Sequence, residues 1–169
     1  RNLEYLVRKV DLPIEIPVMM DVFQQLIQSS VLREFGKANL RLKVRISSFS
    51  YKNGVPVDDR GHGGGFVFDC RFLPNPGREI AYKKLSANDQ EVIDWFVDKQ
   101  DMDRWLKRMF TMVDAAVTSY EEQNFTDLMI SFGCTGGQHR SVHSANRLAA
   151  HLKETHDIDV VLHHRELED

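Results

Sequence analysis

The chain has 169 residues, which is enough for one domain with a hydrophobic core. Hydrophobic residues make up 42% and charged residues 28% of the chain, as in soluble globular proteins. No apolar run reaches the roughly 20 residues that a membrane helix needs, so we expect no membrane partner. The formal net charge of −3 argues against a dedicated nucleic-acid binder, because neutralising phosphates favours basic proteins.

The beginning of the chain differs from the remainder. Apolar residues recur at helical spacing from Met19 to Phe35, and Gly36 is placed to end that helix. We therefore expect residues 1–38 to form a helical segment or a junction to an upstream domain, and residues 39–169 to form a ligand-binding domain. Because the chain begins at Arg1 and not at Met, we also expect it to be a fragment of a longer protein.

Two cysteines, Cys70 and Cys134, are too few for a disulfide framework. The start of the chain also has no basic-then-apolar signal segment. Together these features predict a reducing, cytoplasmic setting with free thiols.

Residues 40–47 alternate between apolar and basic or polar side chains, which predicts a half-buried strand with a basic outer face. No acidic residue interrupts the segment from residue 41 to residue 52. Any RNA-binding function must rest on such a local patch, since the whole chain is acidic. The candidate RNA-binding residues are Arg41, Lys43, Arg45 and Lys52.

The sequence pattern in the second half of the chain predicts a strand, a glycine-rich turn, a helix and a second strand. Leu128–Phe132 is a nearly continuous apolar run, typical of a central strand in a parallel sheet, and Val160–Leu162 is the next strand. This βαβ order predicts an α/β fold. We expect a mixed, largely parallel sheet with helices on both faces.

The segment Gly133–Ser141 is the strongest candidate for a site. It follows the carboxyl end of the central strand and begins a helix, where open α/β sheets bind ligands and where the helix N-terminus favours an anion. Gly136 and Gly137 let the backbone approach a ligand closely, and Arg140 can hold a phosphate with two parallel hydrogen bonds.

The same segment also matches the cysteine-phosphatase pattern C-x-x-G-x-x-R-S, with Cys134 as the nucleophile and Arg140 as the phosphate-binding residue. Asp58, Asp59 or Asp69 could supply the general acid that this chemistry needs. Phosphatases of this type usually have His before the Cys, whereas this chain has glycine. The enzyme alternative stays open beside the binding interpretation.

The histidines do not predict a metal site. His139 and His143 are four residues apart on one helix face, and His62 lies in a glycine-rich loop. No Glu or Cys pattern accompanies them, and such a pair is more often hydrogen-bonded. We expect neither a metal nor a cofactor.

Four segments of the chain match the motifs of one protein family. Ser47–Pro56 with Asp58 is similar to SFGFKYG-P-D, Phe68–Pro76 to FDVRFLPNP with Cys70 in place of valine, Gly133–Val142 to GCTGGQHRSV, and His164–Glu168 to HR-x-LE. In these segments, which together cover roughly residues 40–169, the chain resembles the C-terminal domain of the RapZ family of RNase adapter proteins.

The resemblance implies a domain related to the sugar-phosphate-binding part of phosphofructokinases. It also implies sensing of glucosamine-6-phosphate and adapter binding of small regulatory RNA and an endoribonuclease. We expect the phosphate at the loop and the polar part of the ligand beside it. The candidate ligand-binding residues are Asp58, Asp69, Arg71, Cys134, Thr135, Gly136, Gly137, Gln138, His139, Arg140 and His164.

The chain departs from the family pattern in two places that concern partners. It does not contain the family's N-terminal P-loop NTPase domain, and Glu168 and Asp169 stand where RNA-binding members have a basic tail. Relatives that carry this domain behind a kinase-like phosphotransferase domain offer a further alternative for its context. RNA binding, an upstream kinase-like partner and homo-oligomerisation stay open.

Overall fold

The computed structural model describes residues 41–61 and 64–167 of the chain. These residues form four β-strands and three α-helices. The predictions for residues 1–38 and His62 lie outside these residues. Short 3₁₀ turns lie in the connections between the longer elements. The elements are β1 Lys43–Ser50, β2 Phe66–Asp69, α1 Gln90–Val97, α2 Gln100–Glu122, β3 Asp127–Cys134, α3 Arg140–Thr155 and β4 Asp159–His164.

The strands form one sheet in the order β2-β3-β1-β4. In its register Ile130 of β3 lies between Ile46 of β1 and Phe66 of β2, and Leu162 of β4 lies on the other side of Ile46. This arrangement confirms the α/β class. The described pairings are all parallel, where the sequence predicted a mixed sheet. The reason is that β2 does not pair with β1 as a hairpin would, but lies on the far side of β3.

One face of the sheet and the three described helices share a single hydrophobic core. Val44 and Ile46 of β1 lie on this face, and Leu148 of α3, Val113 of α2 and Phe96 of α1 pack into the same cluster. The described helices therefore do not meet the expectation of helices on both faces. The opposite face carries the other members of the strand alternation, which in β1 are the polar Lys43, Arg45 and Ser47 and the buried Phe49.

The parallel sheet fixes the place of the candidate site. The carboxyl ends of all four strands meet at one edge, and these ends are Ser50, Asp69, Cys134 and His164. α3 begins at the same edge, directly after the glycine-rich loop. Among the described helices none is long and apolar enough to cross a membrane.

Candidate anion-binding site

The loop between β3 and α3 makes a tight turn. Gly137 has a φ of 72°, a left-handed conformation that glycine adopts without strain. Its N–H donates a hydrogen bond to Cys134 Sγ at 3.2 Å, and Ser50 Oγ donates to the carbonyl of Thr135 at 2.7 Å. Thr135 and Gly136 stay exposed at the tip of the turn. The loop is therefore held from beneath while its tip faces solvent.

Arg140 is a buried cation at the first position of α3. Only 6% of the residue is exposed, and its Nη1 donates to the carbonyl of Arg71 at 2.5 Å. Its Nε has no hydrogen-bond partner, and no carboxylate of the described residues forms an ion pair with it. The Asp69 carboxylate acts on this charge without bonding to it, since Asp69 pairs with Arg71. A buried charge without a bonded counterion is costly, so this side chain favours a bound anion.

A cavity of about 290 Å³ opens beside Arg140. It contains three cationic side chains, and none of the described residues that line it is acidic. The N-terminus of α3 adds a partial positive charge and N–H groups that have no partner within the helix. The lining residues are Lys52, Asn75, Gly77, Lys83, Cys134, Thr135, Gly136, Gln138, His139 and Arg140.

The loop side chains attach a second segment to this cavity. Gln138 Nε2 donates to the carbonyls of Lys83 and Leu85, both at 3.0 Å, and the Gln138 carbonyl accepts from the Ala87 N–H at 2.9 Å. His139 Nε2 donates to the carbonyl of Tyr82 at 2.9 Å. These bonds hold Lys83 at the cavity.

Lys83, Asn75 and Gly77 are cavity residues that the sequence did not predict. They lie more than fifty positions before the loop in the chain, and only the folded backbone brings them there. For Asn75 the available signal was its place in the family-like segment Phe68–Pro76. For Lys83 it was only the pair of lysines at positions 83 and 84, which matches no motif.

Asp69 and Arg71 form a forked ion pair at the end of β2. Arg71 Nη2 donates to Asp69 Oδ2 at 2.7 Å, and the guanidinium lies 4.0 Å from the centre of the Tyr51 ring. Hydrogen bonds from Arg71 lower the pKa of Asp69, while burial of the Tyr51 phenol raises its pKa. Neither member of the pair lines the cavity, although the Arg71 carbonyl contacts Arg140.

His164 is held under α3 and away from the cavity lining. Its Nδ1 lies 2.9 Å from Ser48 Oγ, and its Nε2 lies 2.9 Å from Asn146 Oδ1. One ring nitrogen therefore joins β4 to β1, and the other joins β4 to α3. The proposed role of His164 in the ligand pocket stays a prediction.

Asp58 lies on the face of the sheet opposite the helices, within a cluster of acids around Arg45. Arg45 contacts Asp58 at 3.0 Å, Asp59 at 2.9 Å and Asp127 at 2.7 Å. The hydrogen bond to Asp127 is the largest cause of the raised pKa of Arg45. The structure thus separates Asp58 from the loop, and it surrounds Arg45 with negative charge.

The other candidate RNA-binding residues do not form a continuous basic patch with Arg45. Arg41 pairs with Asp157 and lies 4.0 Å from Asp159. Lys43 is exposed, whereas Lys52 lines the cavity beside Arg140. RNA binding through these residues stays a prediction.

The thiol of Cys134 faces the first turn of α3. The residue is 2% exposed, and its Sγ lies 3.1 Å from Ser141 Oγ. A phosphatase would need a protonated acid nearby, and Asp69 is instead kept in its ionised form by Arg71. The arrangement resembles a binding loop more than an acid–base pair.

The two histidines of the loop region have different surroundings. His139 bonds a backbone carbonyl, whereas the ring of His143 stacks on Phe96 with 4.3 Å between centres. Burial, with help from the charge of Arg147, lowers the pKa of His143 to about 4. Within the part of the chain that the structure describes, no group of three His, Cys, Asp or Glu side chains could hold a metal.

Comparison with protein families shows which family the chain belongs to. The model of the RapZ C-terminal domain matches residues 42–168, which is most of the chain and includes the whole site. The chain belongs to the RapZ C-terminal domain family. The resemblance seen in the four sequence segments is thereby confirmed, and the matched residues contain every strand and helix described above.

Curated relatives of this RapZ C-terminal domain are longer proteins described as nucleotide-binding. One from Hahella chejuensis is 35% identical over 136 residues, which is 80% of this chain and 46% of the relative. One from Staphylococcus carnosus is 37% identical over 123 residues, 73% of this chain and 38% of the relative. One from a Thermoanaerobacter species is 37% identical over 132 residues, which is 78% of this chain and 44% of the relative. The chain therefore spans less than half the length of these relatives.

Proposed function

We propose that this domain binds the phosphate group of a phosphorylated sugar, or of a similar anion, at the loop Gly133–Ser141, and that its output is regulatory. The observation that carries the proposal is Arg140. It is a buried guanidinium with an unpartnered Nε and no acidic partner among the described residues, and it borders a cavity.

The groups around the cavity suit a dianion. Arg140 supplies planar N–H donors, and the first turn of α3 supplies backbone N–H groups directed along the helix dipole. Lys52 and Lys83 add two exposed charges at the rim. Exposure of Thr135 and Gly136 leaves the loop tip accessible to the ligand.

The cavity also has room for a small polar group beside the phosphate. Its volume of about 290 Å³ lies near the lower end of the range for small-molecule sites. Asn75 and Gln138 provide amide groups in the lining, which suit sugar hydroxyls. An amino-sugar phosphate such as glucosamine-6-phosphate, which the family resemblance implies, is therefore our first candidate.

The description of the relatives as nucleotide-binding names a second source of the same phosphate chemistry. A nucleotide would present a phosphate to Arg140 as a sugar phosphate does, but its base would need further apolar contact. Since the relatives extend well beyond this chain, we rank a nucleotide second as the ligand of this domain. Titration of a nucleoside monophosphate separates the two ligands.

Calorimetry with glucosamine-6-phosphate, glucosamine and a nucleoside monophosphate tests the proposal. Charge-assisted hydrogen bonds contribute roughly 1.5–3 kcal/mol each, so the phosphorylated sugar should bind at least tenfold more tightly than glucosamine. Arg140→Lys should weaken binding about tenfold, because lysine keeps the charge but cannot form the planar fork. Arg147→Lys is the matched control, since Arg147 is exposed on the same helix.

Equal affinity for glucosamine and its phosphate would refute the proposal. So would an Arg140→Lys variant that binds as tightly as the Arg147→Lys control.

Hydrolysis of a phosphate ester is the competing function, and the position of Cys134 in the cavity lining is the observation that favours it. We expect no release of phosphate from aryl phosphates, and we expect Cys134→Ser to bind glucosamine-6-phosphate with affinity close to that of the unchanged protein. Turnover that disappears in Cys134→Ser would replace the binding proposal with the phosphatase alternative.

A further inference from the structure

The two cysteines of the chain are neighbours across β2 and β3. Asp69 pairs with Gly133, and the next N–H, that of Cys70, donates to the Gly133 carbonyl at 2.7 Å. The parallel ladder thus continues by one residue and sets Cys70 opposite Cys134. Both are free thiols and both belong to the core cluster between the sheet and the helices.

Both sulfur atoms face the first turn of α3. Cys70 Sγ lies 3.7 Å from Ser144 Oγ, and Cys134 Sγ lies 3.1 Å from Ser141 Oγ. Adjacent strands are about 4.8 Å apart, which falls inside the range of Cα separations that a disulfide spans. The backbone positions therefore permit a bond between the two sulfurs.

Only one of the two thiols borders the cavity. Cys134 lines it, and its Sγ accepts a hydrogen bond from the Gly137 N–H. Cys70 is 0% exposed, and burial raises the pKa of its thiol to about 12. An oxidant that enters the cavity therefore meets Cys134 first.

We propose that Cys70 and Cys134 form a reversible disulfide that weakens anion binding at the loop, a regulation that rests on the proposed function. With hydrogen peroxide as oxidant, Cys134 Sγ attacks one peroxide oxygen and becomes a sulfenic acid, and the thiol proton joins the released hydroxide to form water. Cys70 Sγ then attacks Cys134 Sγ and displaces hydroxide, which leaves as water with the Cys70 proton. A dithiol such as dithiothreitol reverses the reaction.

The disulfide would change the loop because Cys134 Sγ is one of its supports. Bonding to Cys70 draws that sulfur away from the Gly137 N–H and from the Ser141 hydroxyl. A buried N–H without an acceptor is costly, so the turn around Gly137 must rearrange. We expect inorganic phosphate to bind about tenfold more weakly to the oxidised chain.

The test compares reduced, peroxide-treated and re-reduced protein. Intact mass should fall by two hydrogen atoms on oxidation, and both cysteines should become resistant to alkylation. Calorimetry with inorganic phosphate should show the loss of affinity and its return with dithiothreitol. Cys70→Val is the control, because valine is the residue of the family segment and fills a similar volume; it should bind phosphate normally and form no disulfide.

A peroxide-treated chain without an internal disulfide would overturn the proposal, and so would a disulfide-bonded chain that binds phosphate as the reduced chain does. If the reduced chain binds no phosphate at all, the proposed function fails separately. The amide NMR signal of Gly137 then decides: a shift on disulfide formation supports the coupling to the loop, and an unchanged signal refutes it.

Discussion

Gly137 is the position where the structure makes the sharpest quantitative prediction. A Cβ at this residue would lie 2.6 Å from Glu166 Oε2 and 3.0 Å from the backbone nitrogen of Ser50, while its φ is 72°. Gly137→Ala therefore has two separate costs. The left-handed backbone costs roughly 1–2 kcal/mol with a Cβ, and displacing the packed carboxylate costs roughly 1–2 kcal/mol more. We expect the free energy of unfolding to fall by about 2–4 kcal/mol.

Urea unfolding followed by tryptophan fluorescence measures this loss. Gly136→Ala is the matched control, since its nearest neighbour would be Gln138 Oε1 at 3.9 Å, and we expect a change of at most about 0.5 kcal/mol. In a Glu166→Ala background the contact with the carboxylate is gone. Gly137→Ala should then cost roughly 1–2 kcal/mol less than in the unchanged chain, and the double-mutant cycle isolates the contact with the carboxylate.

The reasoning is wrong if Gly137→Ala unfolds with the same free energy as Gly136→Ala. It is also wrong if the cost of Gly137→Ala is unchanged by Glu166→Ala, because the carboxylate contact would then contribute nothing. Calorimetry with inorganic phosphate on the same variants should show a larger loss of affinity for Gly137→Ala than for Gly136→Ala, since only the former distorts the loop.

Two further predictions concern stability. Because the pKa of His143 falls from 6.5 to about 4 on folding, the unfolded chain binds more protons between these values. The contribution of His143 to stability should be fully present above pH 6.5. The free energy of unfolding should fall by about 2 kcal/mol by pH 5. In urea titrations His143→Leu should flatten that dependence, and an unchanged slope would contradict the assignment. Arg45→Met should lower the free energy of unfolding by roughly 3 kcal/mol, because it leaves Asp127 without its bidentate partner. Arg104→Met, at an exposed position, is the control. If Arg45→Met lowers the free energy of unfolding by less than this control does, the cluster of acids around Arg45 has no structural role.

The candidate loop could be predicted from the sequence because its signals are local. An apolar run, two glycines and a helical stripe follow one another directly, so Gly133–Ser141 had to connect a buried strand to a helix. Arg140 was identified for the same reason, as it stands at the first helical position. The alternation over residues 40–47 likewise predicted β1, which the structure extends to Ser50.

What the sequence by itself determined was therefore the order of strand, loop and helix, and which residues the loop contains. Which distant residues complete the site was decided only by the tertiary structure. Periodicity shows that Arg45 alternates with buried neighbours, but not that Asp58, Asp59 and Asp127 neutralise it. Nor does any local pattern place Lys83 at the cavity. Both outcomes depend on strand order and on long connections, which bring together residues whose separation along the chain carries no periodic signal.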